Sequence, residues 1–577
     1  MNESPSSDTS AGESPSDFAD KASAGIGSTI LVQSRREPFE YGLLPIPKLI
    51  FTDGMVTLSP LKEKLLRIPS SHPRRVDAAG LSDALQISPA DAGLVLDILV
   101  SVLPSEPEDL TTVDVRDLVL FLYIQSYKRL VPKTHKDSLA VADVWPSTSV
   151  FDGYLSVLTP LQLKRCSSRR SMPSPADEEA HQLSYLSKHI VNIVTLLADS
   201  VEGDGDESLV LTLDSFQHLG LLIQFTDNGH EGVPLSQAIP FFENSDANMS
   251  VVSVSASKVL DWLLQCISTS LEHIAAADKS PTIENGIGGI NEVDATMVEA
   301  STNKAKLQLQ GLPGGYFGLS QTVVEGISKA SVVKQASDTM GHLLKVLNCH
   351  DSVIYILAPL SYATVYGCSD ATIVIGAVGK AVRVEHCERV QIITAAKRIC
   401  IVNCRECFFF LGINRTPLIL GDNHKLHVAP FNTFYPQLEE HLSQVGVNAN
   451  INRWNEPLVL GTVDPHDSLS HPAGASDVQS ESAACLDPDQ FTNFLIPKWF
   501  GAKLAEGTSC NPFPLPEAYA ATQKRSNVVL NEIQEAIKNL QLDVRKKRDI
   551  ASALHIHFKD WLYASGNIRQ LYCLQGD

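Results

Sequence analysis

Between residues 344 and 411 one pattern recurs. The segments "LKVLNCHDSVIYI", "ATVYGCSDATIVI", "VRVEHCERVQIIT" and "ICIVNCRECFFFL" align on Cys349, Cys368, Cys387 and Cys404, which stand 19, 19 and 17 residues apart. A fifth, degenerate copy, "LILGDNHKLHVAP", brings Asp422 to the equivalent place. Flanking positions keep step with the cysteine. Val346, Val365, Val384 and Ile401 lie three residues before it, and Leu344, Ala363, Val382 and Ile399 five before. Ile354, Ile373, Ile392 and Phe409 lie five after. These are the inward positions of period-two strands on either side of a turn. A unit of this length cannot bury its apolar side alone, so copies must stack. The pattern predicts a right-handed parallel β-helix, in which each rung pairs with those above and below.

That arrangement fixes the chemistry open to the cysteines. The four repeated ones form a ladder with Cα spacing of about 4.8 Å. Parallel register points their side chains the same way, and buried free thiols acting as small hydrophobes are expected rather than disulfides. "CIVNCREC" carries Cys400, Cys404 and Cys407 at C-x3-C-x2-C spacing, the spacing of radical-SAM iron–sulfur sites. Cys407 falls in the slot of Ser352, Ala371 and Val390, whereas Cys400 lies between two inward residues and must point outward. The three sulfurs then do not converge, and no metal or other cofactor is expected. "GAVGKA" (376–381) lacks the spacing and the following helix of a phosphate loop and reads as a rung corner. "GLPGGYFG" (311–318) reads as a loop.

At 577 residues the chain is too long for one core. Residues 1–36 are Ser-, Gly- and acid-rich and read as a disordered tail. A helical domain is predicted over 37–275. It opens on the extended, Pro-punctuated "EPFEYGLLPIPKLIF" and continues through five apolar stripes at helical spacing, in "LQISPADAGLVLDILVSVL", "DLTTVDVRDLVLFLYIQSYKRL", "HQLSYLSKHIVNIVTLLADS", "SFQHLGLLIQF" and "SASKVLDWLLQCISTSLEHI". In the first, Ser88 is placed to cap and Pro89 to start the helix. A linker (276–306), the β-helix domain (307–440), a loose connection (441–490) and a C-terminal helical unit (491–577) follow. In that last unit the basic run Arg545–Arg548 reads as a solvated face, and His555 and His557 are too close in sequence to share one.

A formal charge of −20 argues against nucleic acid or an anionic bilayer as the main partner. No apolar run is long enough to span a membrane. The N-terminus has neither signal- nor transit-peptide character, so the cytoplasm is the expected location.

The stacked "NC" turns, "VNCREC" and the exit "APFNTFYPQLEEHL" resemble the cofactor-C-like (C-CAP) β-helix domain of tubulin-binding cofactor C, the retinitis pigmentosa two protein and cyclase-associated proteins. "YGLLPIPKLIF", "IYILAPLSYATVYGC", "IVIGAVGKAVRVEHC" and "HFKDWLYASGNIRQL" extend the likeness to the TBCC domain-containing protein 1 family over most of the chain. The resemblance implies a tubulin- or small-GTPase-related partner and a role in microtubule-organising-centre or organelle positioning and cell morphogenesis. Relatives that activate GTPases present an arginine four residues before a rung cysteine and a glutamine six before. An arginine suits this role because its permanent charge and fixed fork stabilise developing phosphate charge. Here those positions hold Cys400 and Arg398, and a thiol cannot serve. Arg398, two residues away on the same side, and Arg383, one rung up in the Cys400 column, are the substitutes; otherwise each reads as a solvated surface arginine. The expectation is a non-enzymatic scaffold with Arg383, Arg398 and Cys400 as candidate binding surface. The alternative is a GTPase activator with a displaced arginine.

Overall fold

The computed structural model describes residues 30–127, 175–278, 321–460, 481–496 and 511–571, with short gaps inside them. Residues 1–29 of the expected tail, the 279–306 part of the linker and "GLPGGYFG" lie outside the described residues.

The repeat folds as a parallel β-helix of about six turns around residues 321–430. Its longest strands, Thr372–Glu385 and Gln391–Val402, each run through two successive walls of a rung. Strand register stacks Val346 on Val365, Val384 and Ile401, and Ile354 on Ile373, Ile392 and Phe409. All of these side chains are buried, as the sequence pattern requires. At each corner the residue before the ladder cysteine is left-handed, with φ of 49° at Asn348, 62° at Gly367, 52° at His386 and 51° at Asn403. Asn and Gly tolerate this conformation best; at His386 the stacked neighbours impose it. Each ladder thiol donates to the carbonyl two residues back and towards the rung before, as Cys404 Sγ does to Val402 O (3.3 Å) and Val384 O (3.6 Å). The ladder cysteines are free thiols.

The fifth rung departs from the expected alignment. Its corner is one residue longer: Gly421 stands where Asn403 does, and Asp422 is the extra residue. The cysteine slot falls to Asn423, which is fully buried. Its Oδ1 accepts from Cys404 N (2.8 Å) and its Nδ2 donates to Leu420 O (2.7 Å), so the amide closes the ladder in place of a thiol.

The N-terminal region is helical, built on α1 (Gly54–Leu66), α2 (Ala78–Leu85), α3 (Pro89–Val102), α4 (Val115–Tyr127), α5 (Pro175–Leu197) and α6 (Ala256–Asp278). Ser88 caps α3 as expected, its side chain accepting from Asp91 N (3.0 Å) with Pro89 at the first position. One predicted helix does not hold. "SFQHLGLLIQF" breaks after a short helix (Leu213–Gln217) and a 3-10 turn into the strand Ile223–Asp227, where alternation wins over helical spacing. That strand pairs antiparallel with Ile30–Ser34, so the ordered chain begins before residue 37. "EPFEYGLLPIPKLIF" is not extended throughout. It contains a helical turn at Glu37–Glu40 and a 3-10 turn at Pro47–Leu49, and buries Phe39, Tyr41, Leu44, Ile46 and Leu49.

Helix α7 (Leu438–Val445) lies along the β-helix. The end of the expected loose connection adds a strand, Ala484–Cys485, parallel to His427–Val428. Phe491, Phe513 and Trp454 then close the stack, and Tyr519, at the start of α8 (Glu517–Asn539), donates to Leu486 O (2.5 Å). Helix α9 (Val544–Ala564) follows, with Arg545–Arg548 exposed.

Candidate functional site

Alternation along Gln391–Val402 sends Ile399 and Ile401 into the β-helix and Arg398, Cys400 and Val402 out of it. Strand register puts Arg398 beside Ala381, Cys400 beside Arg383 and Leu418, and Val402 beside Glu385. Arg383 in turn sits beside Thr364. The three residues singled out from sequence therefore share one wall, with Arg383 one rung from Cys400. Cys404 and Cys407 are buried on the inner side. The three sulfurs of "CIVNCREC" thus lie on opposite sides of the sheet, and among the described residues no group of His, Cys, Asp and Glu has metal-holding geometry.

The wall does not face water. The helical domain lies on it, and Tyr362, Ala381, Cys400, Val402, Leu418 and Leu420 belong to that domain's apolar core. Arg398 and Cys400 are 3% and 4% exposed. The reading of Arg383 and Arg398 as solvated surface arginines does not hold, because a second domain, not solvent, is their outer neighbour. Arg398 bonds Asp97 on α3, which Arg415 reaches as well at 3.2 Å. Arg383 pairs with Glu385 (Nε–Oε2 2.8 Å) and donates to Glu40 O (3.2 Å). Around this pair Tyr41 stacks on Tyr362 (centroids 4.4 Å apart) and shares a 2.8 Å hydrogen bond with Thr364. Tyr362 Oη donates to Ser101 O (2.6 Å), and Lys380 Nζ to Leu103 O (3.1 Å). A stacked aromatic pair contributes about 0.5–1.5 kcal/mol beyond its buried area.

Burial sets the protonation states. It pushes the Cys400 thiol up against the pull of Arg398 and Arg383, so the thiol is neutral and neither nucleophile nor cation. Burial also pushes Arg398 down, to about 10, which leaves it charged at neutral pH and in need of Asp97. Burial disfavours charge on Arg383 too, but Glu385 outweighs this and holds it above its ordinary value. Both guanidiniums are thus charged and already engaged.

"GAVGKA" is a structural seam. A Cβ on Gly376 would meet Tyr435 Oη at 2.5 Å, and one on Gly379 would meet Val445 O of α7 at 3.0 Å. Both glycines lie within the strand Thr372–Glu385 rather than opening a helix. Sequence reasoning missed the partners of this wall, namely Glu40, Tyr41, Asp97, Ser101 and Leu103. One signal pointed to them: the outward positions Ala381, Cys400, Val402, Leu418 and Leu420 are small or apolar, the composition of a sheet face that is covered.

Residues 341–458 match the family model described as tubulin binding cofactor C. The chain is also similar to proteins named TBCC domain-containing protein 1. The one from Mus musculus is 26% identical over 477 residues, covering 80% of this chain and 78% of the relative. Those from Rattus norvegicus and Homo sapiens are 24% and 23% identical, over 80% of this chain and 75% and 77% of theirs. Coverage of 80% of the chain carries the likeness beyond the β-helix into the N-terminal helical region.

Proposed function

We propose that this TBCC-domain protein, tubulin-cofactor-C-like in its β-helix, is a non-catalytic cytoskeleton-associated scaffold. On this reading it binds a tubulin-related or GTPase-like partner in the cytoplasm. Its role is in microtubule-organising-centre or organelle positioning and in cell morphogenesis. The observation that carries the reading is the burial of the wall to which the resemblance assigns the arginine finger. It holds Cys400, neutral and buried under the helical domain, while Arg398 and Arg383 are committed to Asp97 and to Glu385 with Glu40. A finger acts by position, reaching the transferred phosphoryl group with an unengaged fork. Neither arginine has that freedom while the domain is docked. A partner then meets other walls of the β-helix, such as the exposed corner column that includes Glu388 and Arg405.

Single-turnover GTP hydrolysis by tubulin, or by an Arf-like GTPase, tests the reading when run alongside a binding measurement. Binding without acceleration is the expected result. Acceleration that disappears in Arg398→Ala or Arg383→Ala, with binding retained, would establish the displaced-arginine activator instead.

A further inference from the structure

Among the described residues, a run of exposed apolar side chains lies away from the β-helix, on α8 and α9. Helix α8 starts on the β-helix cap, where Tyr519 and Thr522 are buried. The same helical face continues past the cap as Val529, Leu530, Ile533 and Ile537, at the three- and four-residue spacing of a packing stripe. All four are about half exposed. On α9 a second stripe runs through Val544, Ile550, Leu554 and Phe558, likewise open. The two helices do not close on each other along their lengths.

We infer that these stripes form a self-association surface, in which α8 of one copy packs against α9 of a second copy and the reverse. Two observations select a second copy. The first is area. The eight stripe residues named leave roughly 700 Å² of surface open per copy, comparable with the ~800 Å² that each partner contributes to a standard stable interface. The second is charge. Glu532 and Glu535 occur beside the α8 stripe, whereas Arg545, Lys546, Lys547 and Arg548 crowd the first turns of α9, all exposed. Packing α9 on α9 side by side would bring eight cations together. Packing α8 on α9 sets acid against base twice, once in each direction, which is what a two-fold axis generates. Only α9 has net basic character, with Arg545, Lys546, Lys547, Arg548 and Lys559 against Asp549 and Asp560. Helix α8 balances Glu517, Glu532 and Glu535 against Lys524, Arg525 and Lys538, so the two stripes together fit a helix of opposite charge better than an anionic membrane surface.

The test uses the full-length chain in sedimentation velocity and light scattering at micromolar concentration. The chain is expected to be dimeric, and Ile533→Glu with Leu554→Glu to be monomeric with an unchanged far-UV spectrum, since both side chains are exposed. Two charge variants test the pairing itself. Glu532→Lys with Glu535→Lys, and separately Lys547→Glu with Arg548→Glu, should each weaken self-association about tenfold or more. Mixed together, they should recover it, because each variant's altered helix then faces the other's complement. A monomeric wild type would overturn the proposal. So would stripes protected from hydrogen exchange in a monomer, the sign of α8 closing on α9 within one chain. Sedimentation of a monomeric wild type with vesicles of anionic phospholipid would overturn it in favour of a membrane surface.

Discussion

Removing the carboxylate of Asp97 should loosen the helical domain from the β-helix, and Cys400 reports that loosening directly. The Arg398 side chain is 4% exposed and relies on Asp97; that carboxylate, shared with Arg415, is 27% exposed. Breaking a buried pair from one side costs about 3–5 kcal/mol, because the remaining charge stays desolvated. Partial exposure of Asp97 screens the pair and moves the expected cost of Asp97→Ala to about 2–3 kcal/mol. The whole penalty falls on the docked state, since undocking returns Arg398 to water. At 1.4 kcal/mol per tenfold, the open fraction should rise about 30- to 150-fold. Cys400 points out of the β-helix and is covered by the docked domain, so its thiol reacts on undocking, whereas Cys349, Cys368, Cys387, Cys404 and Cys407 are covered by the β-helix itself. Labelling with a maleimide, read cysteine by cysteine in a mass spectrometer, should show Cys400 accelerated by that factor and the inner cysteines unchanged. Adding Arg398→Met to Asp97→Ala should return most of the protection, because no buried charge is then stranded. If Asp97→Ala leaves Cys400 labelling unchanged, or accelerates all six cysteines equally, the account of Arg398 and Asp97 as the fastening of this wall is wrong.

Two further outcomes follow from groups elsewhere. Asn423→Ala strands the buried Cys404 N–H, at a cost of about 1–3 kcal/mol, so amide exchange at Cys404 should accelerate about fivefold or more. In the helical domain, burial disfavours charge on His218, but its 2.7 Å hydrogen bond to Asp117, with Asp114 nearby, holds it above the ordinary value. The folded state thus binds this proton more tightly than the unfolded chain. The stabilisation is fully present below the unfolded value of about 6.5 and is lost as pH rises through the raised folded value. Thermal melts at about pH 6 and pH 8.5 should show the wild type losing more stability across that interval than His218→Gln; equal losses would refute the assignment.

The β-helix was legible because its rule is local. A period of two on both sides of a turn, repeated at nearly constant length, specifies inside and outside for every rung, and the observed register follows it through Val346, Val365, Val384 and Ile401. Legibility failed where the count changed. The extra residue at Asp422 shifted the fifth copy, because a sequence alignment weighs similarity whereas the stack weighs hydrogen bonds, and Asn423 makes them. In the same way "SFQHLGLLIQF" carries apolar residues that suit either period, and pairing with Ile30–Ser34, nearly two hundred residues away, decides for the strand.

The wall that carries Arg398 and Cys400 sharpens this distinction. Strand period tells which way Arg398 and Cys400 point relative to their own sheet, and it did so correctly. It says nothing about what lies beyond the sheet, because the covering elements come from residues 40–103, about three hundred positions earlier in the chain. Composition carries that missing information. A wall facing water should be charged or polar throughout, yet the outward positions here include Ala381, Cys400, Val402, Leu418 and Leu420, with Arg383 and Arg398 set among them. Had Arg398 evolved as a finger for an outside phosphate, its neighbours would have to tolerate water whenever the partner is absent. Instead they are the apolar neighbours of a side chain held against Asp97. A small, neutral side chain at Cys400 lets the helical domain close over this wall and completes an apolar seam between two domains.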